Sequence, residues 1–399
     1  MFDLKRSYMT ILLCFSGILF LAPTSGDTDA NSPVISNRTV PTLWINGKPQ
    51  RLSDCKGNWS EKNSYRADAL SVFVSGKDVY VAGYEEDSAM LWKNGKPQHL
   101  KQERKYGYSY KATSVFLSGK DVYVAGSVGR YGDNGDAILW KNGEPQDLQQ
   151  SSVKNIASGK SFYVEANSVY VSGKDVYVAG TATIIDTKNG YDDFGILWKN
   201  GKPQFLYDED SLKRQHASSV FQLDGNVYVA GNQIKKRSPG SQAATLWKNG
   251  TQHFYLTDGK REASISEVIA TKNIVYAVGY EYNEGGGLGD TAAMLWKIPS
   301  QELKKAGQNT QQISFETQRL SAEKYSGLAN SIFVIGEDVY VAGRDRNASG
   351  RWATTVWKNG KVIHQHNIEA VVISEAKSIF VSSGDIYVAG HEIIDNNKG

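Results

Sequence analysis

Residues 69–100 read ALSVFV, SGK, DVYVAG, YEEDS, AMLWK, NG and KPQHL, and this stretch decides the fold. Short runs of apolar and β-branched residues separated by turn signals spell four antiparallel strands, called a to d here in chain order. Asn94-Gly95 is a two-residue hairpin signal, because both central positions of a type I′ turn take positive φ. Ser75-Gly76-Lys77 closes the a–b hairpin with similar economy. Pro97 falls inside strand d. A proline cannot donate to a ladder, so strand d belongs at the outer edge, where it also discourages edge-to-edge association. VYVA and MLW are almost continuously apolar, as strands covered on both faces are.

The same unit recurs along the chain. Gly83, Gly126, Gly180, Gly231, Gly279, Gly343 and Gly390 end the VYVAG-type strands. Trp44, Trp92, Trp140, Trp198, Trp247, Trp296 and Trp357 mark the LWKNG-type strands. The two series are offset: LWING at Leu43–Gly47 comes before any VYVAG strand, and IYVAG at Ile386–Gly390 comes after every LWKNG strand. The first c–d pair therefore lacks an a and b, and the last a–b pair lacks a c and d. Joining them gives an all-β, seven-bladed β-propeller of four-stranded antiparallel blades, closed by N-terminal strands that complete the last blade. An open solenoid would leave two incomplete units exposed without polar caps. Residues 42–399 are expected to form this one domain, behind a polar leader at 27–41. The fifth blade is the least regular, since Lys297-Ile298-Pro299 replaces its Asn-Gly turn. A longer c–d excursion with a helical turn over Gln301–Ala306 is expected there.

Composition agrees with strands: 22 Tyr and 9 Trp among 399 residues favour β structure. A formal charge of +3 with interspersed signs lacks the basic stripe of a nucleic-acid binder, so no nucleic-acid partner is expected. Lys5 and Arg6 precede an apolar stretch from Met9 to Leu21, followed by Pro23 and small residues. That pattern reads as a signal peptide over residues 1–26, cleaved after Thr24-Ser25-Gly26, and implies a secreted, periplasmic or cell-surface protein. The stretch is shorter than the roughly 18–20 residues a bilayer span needs, so no membrane span is expected. Lipidation at Cys14 is disfavoured by the bulky Leu13 before it. Without the signal only Cys55 remains, which allows no internal disulfide, and the chain is expected to be a monomer.

The order of VYVAG strand, loop, aromatic-bearing LWKNG strand, polar turn and closing strand, from Leu43 to Gly390, resembles the Kelch type of propeller repeat. The second glycine of the Kelch doublet is replaced here by Tyr84, Ser127, Thr181, Asn232, Tyr280, Arg344 and His391, and the closing tryptophan of strand d is absent. The resemblance implies architecture alone, because one fold hosts many functions.

Strand order sends the a–b and c–d turns to one face of the ring and the b–c loops and d–a connections to the other. The first face carries near-verbatim turns. The second carries the variable segments 127–136, 181–195, 232–243, 281–291, 344–352 and 53–66, and function concentrates on such segments. Candidate ligand-binding residues on that face are Tyr131, Asp133, Asp136, Tyr191, Asp192, Asp193, Tyr282 and Trp352, with Trp59 as a further aromatic. The Asp/Asn/Gly groups are read as turn chemistry ahead of a Ca²⁺ site. Residues 284–290 lack the Gly-Lys-Ser/Thr ending of a phosphate loop. His364 and His366 share one side of strand d, where an edge strand would present them to solvent. The tryptophans of the LWKNG strands read as packing anchors between blades. No catalytic, metal or cofactor signature stands out. The favoured reading is a non-enzymatic module that binds a protein or glycan ligand. The second reading is a carbohydrate-active propeller enzyme, a glycoside hydrolase or polysaccharide lyase, whose paired carboxylates the sequence does not single out.

Overall fold

A computed structural model describes residues 37–395 except 54–65, 103–106, 130–134, 150–152, 154, 156, 158–159, 187–189, 207–213, 235–240, 286–289, 307–312 and 323–325. Among the described residues the strands form five four-stranded sheets and one eight-stranded sheet. The larger sheet is two four-stranded groups joined by a single parallel pair, Tyr163 opposite Gly135. The innermost strands, in chain order, are Ala67–Ser75, Ser109–Ser118, Ser161–Ser172, Gln215–Leu223, Ala263–Ala270, Gly327–Ile335 and Val371–Ser382. Each packs against the next unit, and the last packs against the first, so the series closes on itself. Among the described residues no helix is long and apolar enough to cross a membrane.

Closure uses the chain's N-terminal strands. Asn37–Ile45 pairs antiparallel with Asp385–Asp395, running from Asn37 opposite Asp395 to Ile45 opposite Tyr387, and Lys48–Arg51 lies outside it. The turn chemistry of the repeat makes this join. In the first unit Asn94 Nδ2 donates to Asp78 Oδ1 at 2.8 Å, the Val79 amide donates to Asn94 Oδ1 at 2.8 Å, and Lys93 Nζ lies 2.8 Å from Asp78 Oδ2. In the closing unit Asn46 Nδ2 donates to Asp385 Oδ1 at 2.8 Å, and the Ile386 amide donates to Asn46 Oδ1 at 2.9 Å. Asn94 and Gly95 have φ of 52° and 76°, the pair of positive values a type I′ turn requires.

Packing explains the rest of the repeat. All seven LWKNG tryptophans are fully buried, as the sequence predicts for anchors. Each sits in a cluster with the preceding unit: Trp140 packs with Tyr80, Ala82 and Leu91, and Trp44 with Tyr340 and Val356. A bulge in the inner strand, between Ala69 and Ser71 and at the matching place in each other unit, brings a carbonyl against the VYVAG glycine. A Cβ on Gly180 would overlap the Glu165 carbonyl oxygen, and the equivalent glycines are similarly confined. A helix, Ser300–Lys305, forms where the sequence places a helical turn in the fifth unit, and it buries Leu303. Lys248 Nζ donates to the Leu303 carbonyl at 2.9 Å and Gln252 Nε2 to that of Ala306 at 3.0 Å, tying the excursion to the fourth unit.

Two rings surround the axis. Amides of Val72, Val115, Val169, Val220, Val268 and Ile379 each donate to a serine hydroxyl of the preceding inner strand, at Ser378, Ser71, Ser114, Ser168, Ser219 and Ser331. The seventh bond runs from Ile332 to Glu267 Oε2 at 2.7 Å. Two residues further along each strand comes a collar of Phe73, Phe116, Tyr170, Phe221, Ile269, Phe333 and Phe380. Neighbouring ring centroids are 4.6–5.1 Å apart at every step that joins two aromatics. All seven side chains are half-buried although they lie on the innermost strands, so they line a channel.

Candidate functional site

The inner strands run from the irregular face toward the a–b turns, so the residues before the bulge line the channel mouth on the irregular face. In chain order they are Asp68, Lys111, Glu165, His216, Ser264, Leu328 and Glu375. Opposite them across the ladder stand Tyr84, Ser127, Thr181, Asn232, Tyr280, Arg344 and His391. The two sets occupy equivalent places in an otherwise repetitive scaffold, yet their chemistry changes from unit to unit.

Five of the seven inner positions carry ionisable groups, and these form one continuous arc of acidic and basic side chains. At one end Glu375, buried, accepts Arg344 Nη1 at 2.9 Å, Lys377 Nζ at 2.7 Å and Asn330 Nδ2 at 2.8 Å. Burial acts to raise the Glu375 carboxyl, but Lys377, then Arg344 and His391, overcome it and hold the group well below the usual carboxylate range. His391 Nδ1 lies 3.1 Å from Asp68 Oδ1, and both residues are buried. Lys111 Nζ sits 5.2 Å from the centre of the Tyr84 ring. Burial pulls the Lys111 ammonium down, against the attraction of Glu165 and Asp68. At the far end burial pushes the Glu165 carboxyl up; His216 and Lys111 oppose that shift and Asp193 adds to it. Thr181 Oγ1 and His216 Nδ1 are 3.1 Å apart. Ser264 and Leu328 carry no charge at the two remaining inner positions, although Arg344 stands opposite Leu328.

The residues the sequence singles out are divided by this geometry. Asp193 is brought to the arc: it is buried, accepts a 2.6 Å hydrogen bond from Thr183 Oγ1, and acts on Glu165. Asp192 and Tyr191 precede it in the same strand, Gly190–Lys199, where Asp192 pairs with Ile184 and Asp193 with Thr183. The turn reading of this pair is therefore corrected: the strands run on to Asp186 and restart at Gly190, placing both carboxylates in a ladder. Asp136 is likewise in a strand, opposite Val128. Tyr282 ends a strand opposite Thr291 and stands 6.0 Å from Tyr280. Trp352 begins a strand and is held between Arg344 and Arg346, each 4.5 Å from its ring centre. Arg214 covers Tyr191 at 5.2 Å. These three aromatics are half-buried rather than exposed platforms. Tyr131, Asp133, Trp59, Cys14 and Cys55 lie outside the described residues.

His366 is a second correction. Edge position predicts a solvent-facing side chain, but a bulge after Val362 and the bond from the His366 amide to the Thr354 carbonyl turn it inward. Its ring meets Trp44 edge-on, and its Nε2 lies 2.8 Å from Glu392 Oε1, which is itself buried. Arg51 Nε approaches the other Glu392 oxygen at 3.4 Å. His364 and His366 line a cavity of about 60 Å³ at the closing seam, with Trp44 and Thr354.

Asp68, Lys111, Glu165, His216 and Glu375 escape a reading based on loops because they are strand residues. Their signal is positional: each precedes the recurrent Ala69, Ala112, Ala166, Ala217 or Ala376, and no two neighbours in the series are alike.

No protein-family model matches the chain, and no curated protein matches it in sequence. Among solved structures it is similar to the Swd1 β-propeller domain of Myceliophteria thermophila Cps50, at 10% identity over 81% of this chain and 98% of that one, with a TM-score of 0.42. Extracellular domains 1–2 of Drosophila Semaphorin 1a match at 8% identity over 84% and 86%, with a TM-score of 0.45. A subtype N10 neuraminidase-like protein (little yellow-shouldered bat) matches at 9% over 81% and 94%, with a TM-score of 0.42. No ligand or activity passes to this chain from likenesses of that degree. The cyclic series of four-stranded sheets itself defines the class: an all-β propeller.

Proposed function

We propose that the chain is an exported, seven-bladed propeller of Kelch-like repeats that acts as a non-enzymatic binding module for a protein or glycan ligand seated at the channel mouth. One observation carries this reading: ionisable side chains that vary from unit to unit are concentrated at the mouth. The opposite face repeats one Asp–Lys–Asn turn cluster, with Lys–Asp distances of 2.8 Å at Asp78, Asp121, Asp175 and Asp338. A scaffold that repeats its turns and varies its mouth concentrates specificity at the mouth. The test is a panel of acidic and neutral oligosaccharides and candidate proteins titrated against the mature chain. Arg344→Met with Lys111→Met is expected to weaken the best ligand at least about tenfold, the loss of one or two charged contacts. Asp121→Asn on the turn face should leave it unchanged. The converse pattern would overturn the reading.

A second reading, a carbohydrate-active enzyme, is favoured by Glu165 and Asp193 alone. Burial raises the carboxyl of the first and the second carboxylate adds to that shift, which is the direction an acid in glycosidic cleavage requires. Polysaccharide turnover lost in both Glu165→Gln and Asp193→Asn would establish it over the binding module.

A further inference from the structure

We propose that the channel below the mouth is a binding site for a primary alkylammonium group, seated between the carboxylate of Glu267 and the aromatic collar. The argument starts from a broken pattern. Six of the seven inner strands place a serine in the ring of bonds between units, and the fifth places Glu267. The same strand breaks the collar two residues later, where Ile269 stands among six aromatic rings. Ala263–Ala270 therefore sets one carboxylate roughly 7 Å of strand above the one gap in the collar.

A serine would suffice to accept the Ile332 amide, as it does for the six equivalent amides. Glu267 makes that bond with Oε2 and also receives the Ser331 hydroxyl. Like the collar residues it is half-buried, and on an innermost strand the part left open faces the channel. Burial dominates its surroundings, followed by Ser331 and Ile332, and among the described residues no cation acts on it. The neighbouring inner strands bring Ser219 and Phe221 on one side and Ser331 and Phe333 on the other. Nearest along the mouth, Arg344 and Lys377 are held by Glu375. On the inner strands the mouth above Glu267 offers only Ser264 and Leu328, and Arg344, opposite Leu328, is engaged by Glu375.

A carboxylate with no described cation acting on it, two residues along its strand from a collar of aromatic rings, is complementary to an organic cation with an apolar stem. The ammonium meets the carboxylate and the ring quadrupoles, and the alkyl chain fills the space left by Ile269. Small amines and lysine side chains of a partner share this chemistry. The site is separate from the mouth, so either proposal can fail without the other.

The test is calorimetric titration of the mature chain with n-butylammonium chloride and, separately, with the peptide Gly-Lys-Gly. A saturable 1:1 site with a Kd of about millimolar is expected for butylammonium, in keeping with so small a ligand. Glu267→Gln keeps the acceptor for Ile332 and should weaken binding at least about tenfold with the fold intact by circular dichroism. Phe333→Leu should weaken it roughly two- to fivefold. Because burial pushes the Glu267 carboxyl up to about 7, affinity should fall roughly tenfold from pH 8 to pH 6 as the carboxylate is protonated. Peptide binding with the same dependence on Glu267 would assign the site to a partner's lysine, and its absence beside butylammonium binding to a free amine. Equal affinity in Glu267→Gln, no saturation by roughly 100 mM, or no response to pH would overturn the proposal.

Discussion

Single residues show how a repeat can be verbatim in one place and free in the next. The VYVAG glycine is fixed by contact, since a methyl group on Gly180 would overlap both the Glu165 carbonyl and the Trp198 ring. Gly180→Ala should cost about 2–3 kcal/mol by overpacking, read from denaturant unfolding. The residue after that glycine differs from unit to unit, and it is where Arg344 and His391 reach Glu375 and Asp68. Glu375→Gln should cost about 2–3 kcal/mol near neutral pH, because two partly buried cations lose their counter-charge. The folded carboxyl lies below its ordinary value of 4.5, so this stabilisation is present above about that pH and is lost as pH falls. The gap between parent and variant should therefore narrow steadily as pH falls below ~4.5, and a gap that does not change with pH would mean that shape rather than charge explains the cost.

At the scale of strands and hairpins, closure is the element most exposed to test. Residues 37–51 bury Leu43 and Trp44 against the sixth and first units, and they cover the edge of the strand Asp385–Asp395. Trp44→Ala should cost about 3–5 kcal/mol, comparable with Trp92→Ala, if the closing unit is packed like the others. Deleting Thr42–Leu52 should be far worse, exposing a long apolar edge and abolishing the cooperative melt; a deletion variant with the parent's Tm would contradict the pairing. The elements were largely legible from the chain. Asn-Gly turns, edge prolines and the offset of two motif series are local signals, and the Asn46–Asp385 bond repeats the local chemistry of Asn94–Asp78 across the whole chain. The mouth was not legible in the same way. Asp68 and His391 stand 3.1 Å apart only because the ring closes, and nothing near either residue in sequence announces the other. Asp192 and Asp193 misled in the opposite direction: a polar, glycine-flanked run suggests a turn, but ladder bonds with Thr183 and Ile184 outweigh that local preference.

For the whole molecule, the register of Asn37 opposite Asp395 places the ends of the described ring side by side on the irregular face. Circular permutation can therefore separate the fold from the device that closes it. A permutant joined across residues 395 and 37 by a short linker, and opened between Glu86 and Asp87, would again split one unit into two pairs of strands held by a shared ladder. One opened within 54–65 would make every unit continuous in sequence, and the ring would then be held shut only by packing between neighbouring units. The two share nearly all native contacts, so their equilibrium stabilities should agree within about 1 kcal/mol. Their unfolding rates should differ. Opening the second ring needs one interface to part, whereas opening the first also needs a ladder such as that between Tyr80–Glu85 and Ser88–Lys93 to be stripped. If that ladder is intact in the transition state for opening, the second permutant should unfold about tenfold faster or more, measured by manual-mixing denaturant jumps. Equal unfolding rates would show that the strap of N-terminal strands adds contacts to the ring without acting as its lock.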